Sequence, residues 1–171
     1  MFQAGDLVIY ETTGVCRVEC VGTAPEIPVA APGKWYYQML PVYGSGTIYV
    51  PVEGKAFIRP VISKQEALDL IDKIPEIRDD AYQHCEQRQL ENCYRQSIRT
   101  HQCEDLVGLV KALYAKNRAV TRAGKRLGRV DQEYRKRAEE LLHGELAAAL
   151  NIPYEQVADY IAERVAQPAR A

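Results

Sequence analysis

The chain has 171 residues, with 22 Lys and Arg against 23 Asp and Glu and a formal net charge of −1. Hydrophobic residues make up 47% and charged ones 26%, an ordinary globular composition sized for one large domain or two small ones. Near-neutral charge excludes a protein that coats nucleic acid by bulk electrostatics, and no apolar run approaches the roughly 18 residues of a membrane helix.

The opening MFQAGDLVIY has no basic run before an apolar core and no small-residue cleavage site. A signal peptide is therefore not expected, and the reading is a cytoplasmic chain. The first sixty residues then read as short strands divided by turns. GDLVIYETTGVCRVECV alternates, turns at Gly14 and alternates again, as a hairpin does. TAPEIPVAAPG is a long Pro- and Ala-rich loop. KWYYQML is aromatic and favours a strand, VYGSG is a turn, and TIYV is a fourth strand halted at Pro51. FIRPVI offers a fifth. Five short strands without intervening helices predict a small curled antiparallel barrel of the SH3 or Tudor type over residues 1–62.

Helix begins at Ser63, where SKQE spells a capping box. Ala67, Leu70, Ile71 and Ile74 form the apolar stripe of the first helix, and Pro75 stops it. Residues 63–79 read as a linker helix and junction, and 80–171 as a compact helical domain. A second helix is expected from Asp80 to about Arg99 and a third from near Glu104. Leu106, Leu109, Val110, Leu113 and Tyr114 of the third fall on one face. TRAGKRLGRV is a glycine-punctuated loop. The fourth helix starts near Asp131, Asn151 can end it, and Pro153 suits the first turn of another. The fold class is α+β, an N-terminal β-barrel followed by an all-helical domain.

Catalysis finds little support. His84, His101 and His143 have no nucleophile motif near them, Ser45 and Ser97 lack a G-x-S-x-G frame, and YGSGT is not followed by the Gly-Lys-Ser/Thr of a phosphate loop. No enzyme activity and no cofactor are expected. Cys85, Cys93 and Cys103 are chemically able zinc ligands, but without a CxxC pair the plainer reading is five reduced thiols, and no metal site is assigned.

Two features point to binding. Proline cannot donate to a ladder, so Pro51 marks residues 46–50 as lying at or near a sheet edge, where a partner strand can dock. Charge is also unevenly spread. Between Asp105 and Asp131 there is no acid, and seven bases stand there: Lys111, Lys116, Arg118, Arg122, Lys125, Arg126 and Arg129. A few phosphate contacts give only weak, sequence-blind binding, on the order of 10⁻⁴ to 10⁻⁶ M. A second module that tethered the chain beside DNA would make such binding useful.

The residues FQAGDLVIYETTGVCRVECVG, YYQMLPV, GTIYVPVEG and FIRPVIS resemble the CarD-like bacterial transcription regulators, a likeness that runs on through VKALY and AEELLHGELAAAL. The N-terminal part is also similar to the polymerase-binding domain of transcription-repair coupling factors. The resemblance implies a Tudor-like module that pairs an edge strand with the β subunit of RNA polymerase. It also implies a helical module on promoter DNA beside the melted region, which modulates open-complex stability without catalysing a reaction. Carried onto this sequence, the polymerase-binding set is Tyr37, Thr47, Ile48, Tyr49, Val50 and Pro51. The DNA set, chosen by charge and position, is Arg88, Arg95, Arg99, Lys111, Arg118, Arg122, Lys125, Arg126 and Arg129. Family members carry a Trp near the start of the helical module as a minor-groove wedge. The sole Trp here is Trp35 in the β module, so Tyr82, Leu90 and Tyr94 are the wedge candidates. The expected free form is a monomer with no membrane partner. The alternative function is a protein–protein adaptor, on RNA polymerase or another partner, that leaves DNA alone.

Overall fold

The computed structural model describes residues 1–167. The chain divides into two compact units, Met1–Ile62 and a second from Ser63 onward. The first holds one five-stranded antiparallel sheet and the second holds the helices, an α+β architecture.

Strand β1 (Leu7–Tyr10) turns into β2 (Gly14–Gly22), with Tyr10 opposite Gly14. Gly14 has φ +93°, a conformation that a side chain strains, so the glycine is what permits the tight reversal. β3 (Tyr36–Pro41), β4 (Ile48–Pro51) and β5 (Ile58–Pro60) follow. The order across the sheet is β4-β3-β2-β1-β5. Among the described residues no ladder joins β4 to β5, so the predicted barrel is a curled sheet left open along both outer strands.

Period-two alternation sends Val8, Cys16, Val18, Tyr37, Met39 and Val50 into one core. Each such side chain, fully buried, contributes roughly 1.5–3 kcal/mol. Phe2 closes one end: its ring lies 5.9 Å from that of Tyr37, and its N–H donates to the Tyr37 hydroxyl at 3.1 Å. Apolar burial raises the Cys16 thiol to about 11. The Pro- and Ala-rich loop forms neither helix nor strand, but Ile27 is fully buried and anchors it.

The second unit contains α1 (Lys64–Lys73), α2 (Leu90–Arg99), α3 (Cys103–Arg122), α4 (Arg129–Leu150) and α5 (Val157–Ala166). The capping box forms in full: Ser63 accepts from the Glu66 amide at 3.1 Å, and the Glu66 carboxylate accepts from the Ser63 amide at 2.7 Å. Residues 63–79, expected as linker and junction, lie in this unit. The apolar stripe of α1 packs on α4 and α5, and Arg164 of α5 holds both carboxylate oxygens of Asp72 at 2.8 and 2.9 Å.

The helix expected from Asp80 begins only at Leu90. Residues 81–85 are turns, and Gln87–Gln89 is a single 3₁₀ turn. The apolar period explains this, because Leu90, Tyr94 and Ile98 are the buried positions while 80–89 has no matching stripe. The segment folds back instead, and Tyr82 sets its ring edge-on to Tyr94 at 5.2 Å. Leu106, Val107, Leu109 and Leu113 of α3 meet Ala138, Leu142 and Leu146 of α4 in the core. Tyr114, expected on the apolar face, sits at its rim, 38% exposed, with Arg135 over its ring and its hydroxyl donating to Glu139. Asn151 ends α4 in the left-handed conformation at φ +54°.

Candidate functional site

The outer strand β4 owes its open side to register. Tyr36 stands opposite Pro51 and Tyr37 opposite Val50. The Val52 N–H donates to the Trp35 carbonyl at 2.9 Å. In an antiparallel ladder bonded residues alternate, so Val50 and Ile48 bond inward to β3. The backbone of Tyr49 faces away from the sheet, and so does the nitrogen of Pro51, which has no hydrogen to lose. Tyr49 therefore offers both a donor and an acceptor, and Pro51 offers an acceptor only. Among the described residues no strand pairs with this side. Thr47 and Pro51 are exposed, Tyr49 is half-buried, and the side chains of Ile48 and Val50 face the core.

Tyr37 departs from its assignment. It is 4% exposed, packed in the core and bonded through its hydroxyl to Phe2, so its side chain presents nothing to a partner. Its register partner Val50 is an inward residue, and that parity decides the matter. A residue outside the expected set does face solvent: Trp35 is 51% exposed, one position before β3 and opposite Val52 at the end of the open strand. The chain's one indole at a strand end is the sequence signal, although strand parity with Tyr37 and Met39 would place it inside.

The basic residues sort by what they touch. Lys111 donates to the carbonyls of Ile74 and Ile77, closing the end of α1 and the turn beyond it, so it is a structural cap and not a free cation. Lys116 is paired with Asp131 at 2.6 Å, in a network where the Tyr94 hydroxyl donates to the same carboxylate at 2.8 Å. That network and burial push the Tyr94 hydroxyl far above its ordinary value, with desolvation the larger cause. Arg88 pairs with Glu86, Arg95 with Glu91 and Arg129 with Glu133, all on the surface. Arg99 is exposed at the end of α2. Arg118 and Arg122 are exposed one turn apart on α3, and Lys125 and Arg126 follow in the loop. Among the described residues these last five have no ion-pair partner.

The wedge candidates are occupied elsewhere. Leu90 and Tyr94 are core residues, 7% and 1% exposed. Tyr82 is half-buried, with its hydroxyl hydrogen-bonded to Ser97. The thiols suggested as zinc ligands are divided. Cys85 meets Cys93, while Cys103 is buried and donates to Glu145 at 3.0 Å.

β4 is thus an open, proline-bounded outer strand on a small sheet, the geometry to which an added strand can pair. Residues 2–62 match the family model of the CarD-like/TRCF RID domain. Over these residues the first unit is similar to an RNA-polymerase-interacting domain of transcription-related proteins. No curated protein matches the chain. Among the described residues no helix is long and apolar enough to cross a membrane.

Proposed function

We propose that this chain is a bacterial, cytoplasmic transcription regulator that docks on the RNA polymerase β subunit through the outer side of β4. Its helical unit then lies on promoter DNA without reading sequence, and so changes the stability of the open complex. The observation that carries the reading is the unpaired backbone of Tyr49 on the outer strand of a domain matched to the RNA-polymerase-interacting family. Thr47, Tyr49 and Pro51 supply the edge, Ile48 and Val50 hold it from the core side, and Trp35 adds an aromatic contact beside it.

The four cations Arg118, Arg122, Lys125 and Arg126 form the DNA-facing group, with Arg99 as an outlying member. They sit in the stretch from Asp105 to Asp131 that carries no acid, so nothing within it neutralises them. Binding through phosphates alone fits the absence of a free wedge among the three candidates. Four phosphate contacts predict a slope of log affinity against log salt of about −3.6. The affinity is useful because anchorage on polymerase raises the local concentration to roughly millimolar.

The test measures promoter DNA retention by the polymerase complex as salt is varied. Replacing Arg118, Arg122, Lys125 and Arg126 together with Glu should leave polymerase binding unchanged. It should lower DNA retention and remove most of the salt slope that the chain contributes. Unchanged DNA retention would make the chain an adaptor that contacts polymerase alone.

A further inference from the structure

The sulfurs of Cys85 and Cys93 lie 2.8 Å apart, both on half-buried side chains. Cys85 closes the fold-back turn of residues 81–85, and Cys93 sits early in α2. The same segment is tied to α2 a second time, by the hydrogen bond from Tyr82 to Ser97. Cys93 and Ser97 are four residues apart, stacked on one face of the helix. The fold-back segment is therefore already held in register against α2, and the two sulfurs need close by less than about 1 Å to reach disulfide length. A metal does not account for the pairing: among the described residues no three Cys, His, Asp or Glu side chains gather as a metal-holding group.

We propose that Cys85 and Cys93 form a reversible redox pair whose co-reactant is a low-molecular-weight disulfide. One thiolate attacks a sulfur of the co-reactant, a mixed disulfide forms and one thiolate of the co-reactant leaves. The second cysteine thiolate then attacks the protein sulfur of the mixed disulfide, the Cys85–Cys93 bond forms and the other co-reactant thiolate leaves. The two cysteines lose two electrons in all, the co-reactant gains them and becomes two thiols, and the cysteine protons pass to the leaving thiolates through solvent. The bond makes covalent a contact that otherwise depends on Tyr82 and Ser97, and it fixes one wall of a cavity of about 370 Å³ that is lined by Tyr82, Cys85, Leu90, Tyr94 and Leu113 among others.

The test equilibrates the full, reduced chain with mixtures of glutathione and glutathione disulfide, quenches in acid, and alkylates in denaturant for mass spectrometry. The expected product is about 2 Da lighter before alkylation, because two thiol hydrogens are lost. It takes up three alkyl groups where the reduced chain, with its five cysteines, takes up five. Peptide mapping should join Cys85 to Cys93, and dithiothreitol should restore all five. Cys85→Ser and Cys93→Ser should each abolish the internal bridge and leave glutathione on the remaining thiol, whereas Cys20→Ser, in the other unit, should not affect it. Five free thiols in excess glutathione disulfide, or a bridge mapped to other cysteines, would overturn the proposal.

Discussion

His143 shows how burial turns a single side chain into a pH response. It is half-buried beside the Tyr154 ring at 6.1 Å, and desolvation lowers its pKa below the usual 6.5, with Glu139 opposing the shift. The unfolded chain therefore takes up this proton at a higher pH than the folded one. The contribution of His143 to stability is complete above 6.5 and is lost as pH falls through 6.5 toward the lowered folded value. Urea unfolding across this window should show a decline for the native chain that is smaller in His143→Gln. The same scale explains the misplaced cations and rings. A count of charges saw Lys111 as one base among seven, but its ammonium is spent on two carbonyls at the end of another helical segment. Tyr94 and Leu90 looked like free large side chains because sequence does not show that the pair fills the α2 core.

At the scale of elements, alternation made the strands legible. The alternation in GVCRVECV marks β2, with Cys16 and Val18 inward and Arg17 and Glu19 outward, Gly14 marks the reversal, and Pro51 marks an outer strand. The capping box at Ser63 was equally legible because its two hydrogen bonds are local. What sequence could not show was decided by long-range pairing. The fold-back of residues 80–89 is held by Tyr82 meeting Ser97 and Tyr94, pairings across the chain that replace the helix expected from Asp80. Tyr37 lies on the strand next to the open edge, and only its register with Val50 shows that its side chain faces inward. The register also yields a sharp contrast between two proline substitutions. Tyr49→Pro removes an N–H that points away from β3, whereas Val50→Pro removes one that bonds to it. Tyr49→Pro should retain the native thermal transition and lose at least about tenfold in affinity for polymerase, the loss of a strand-pairing hydrogen bond and its neighbours. Val50→Pro should lower the thermal transition itself. Calorimetry and binding to isolated β subunit, run on the same preparations, separate the two effects.

At the scale of the whole molecule, the proposed function joins two weak devices through a covalent link. A strand of four residues bounded by proline offers few hydrogen bonds. In that proposal a patch of four cations on a chain of net charge −1 supplies only a sequence-blind attraction to phosphates that salt weakens. Joined in one chain, each event raises the local concentration for the other. The match over residues 2–62 covers the β unit alone, while the likeness read in VKALY and AEELLHGELAAAL of the helical half lies outside it. Docking through β4 is the proposed step on which the rest depends. Its most direct measurement is the exchange rate of the Tyr49 backbone amide, in the free chain and bound to polymerase. In the free chain that amide should exchange faster than those of Ile48 and Val50, which bond to β3, and binding should slow it to their range. If binding is intact and the Tyr49 amide still exchanges at its free rate, the chain does not dock by strand pairing at β4.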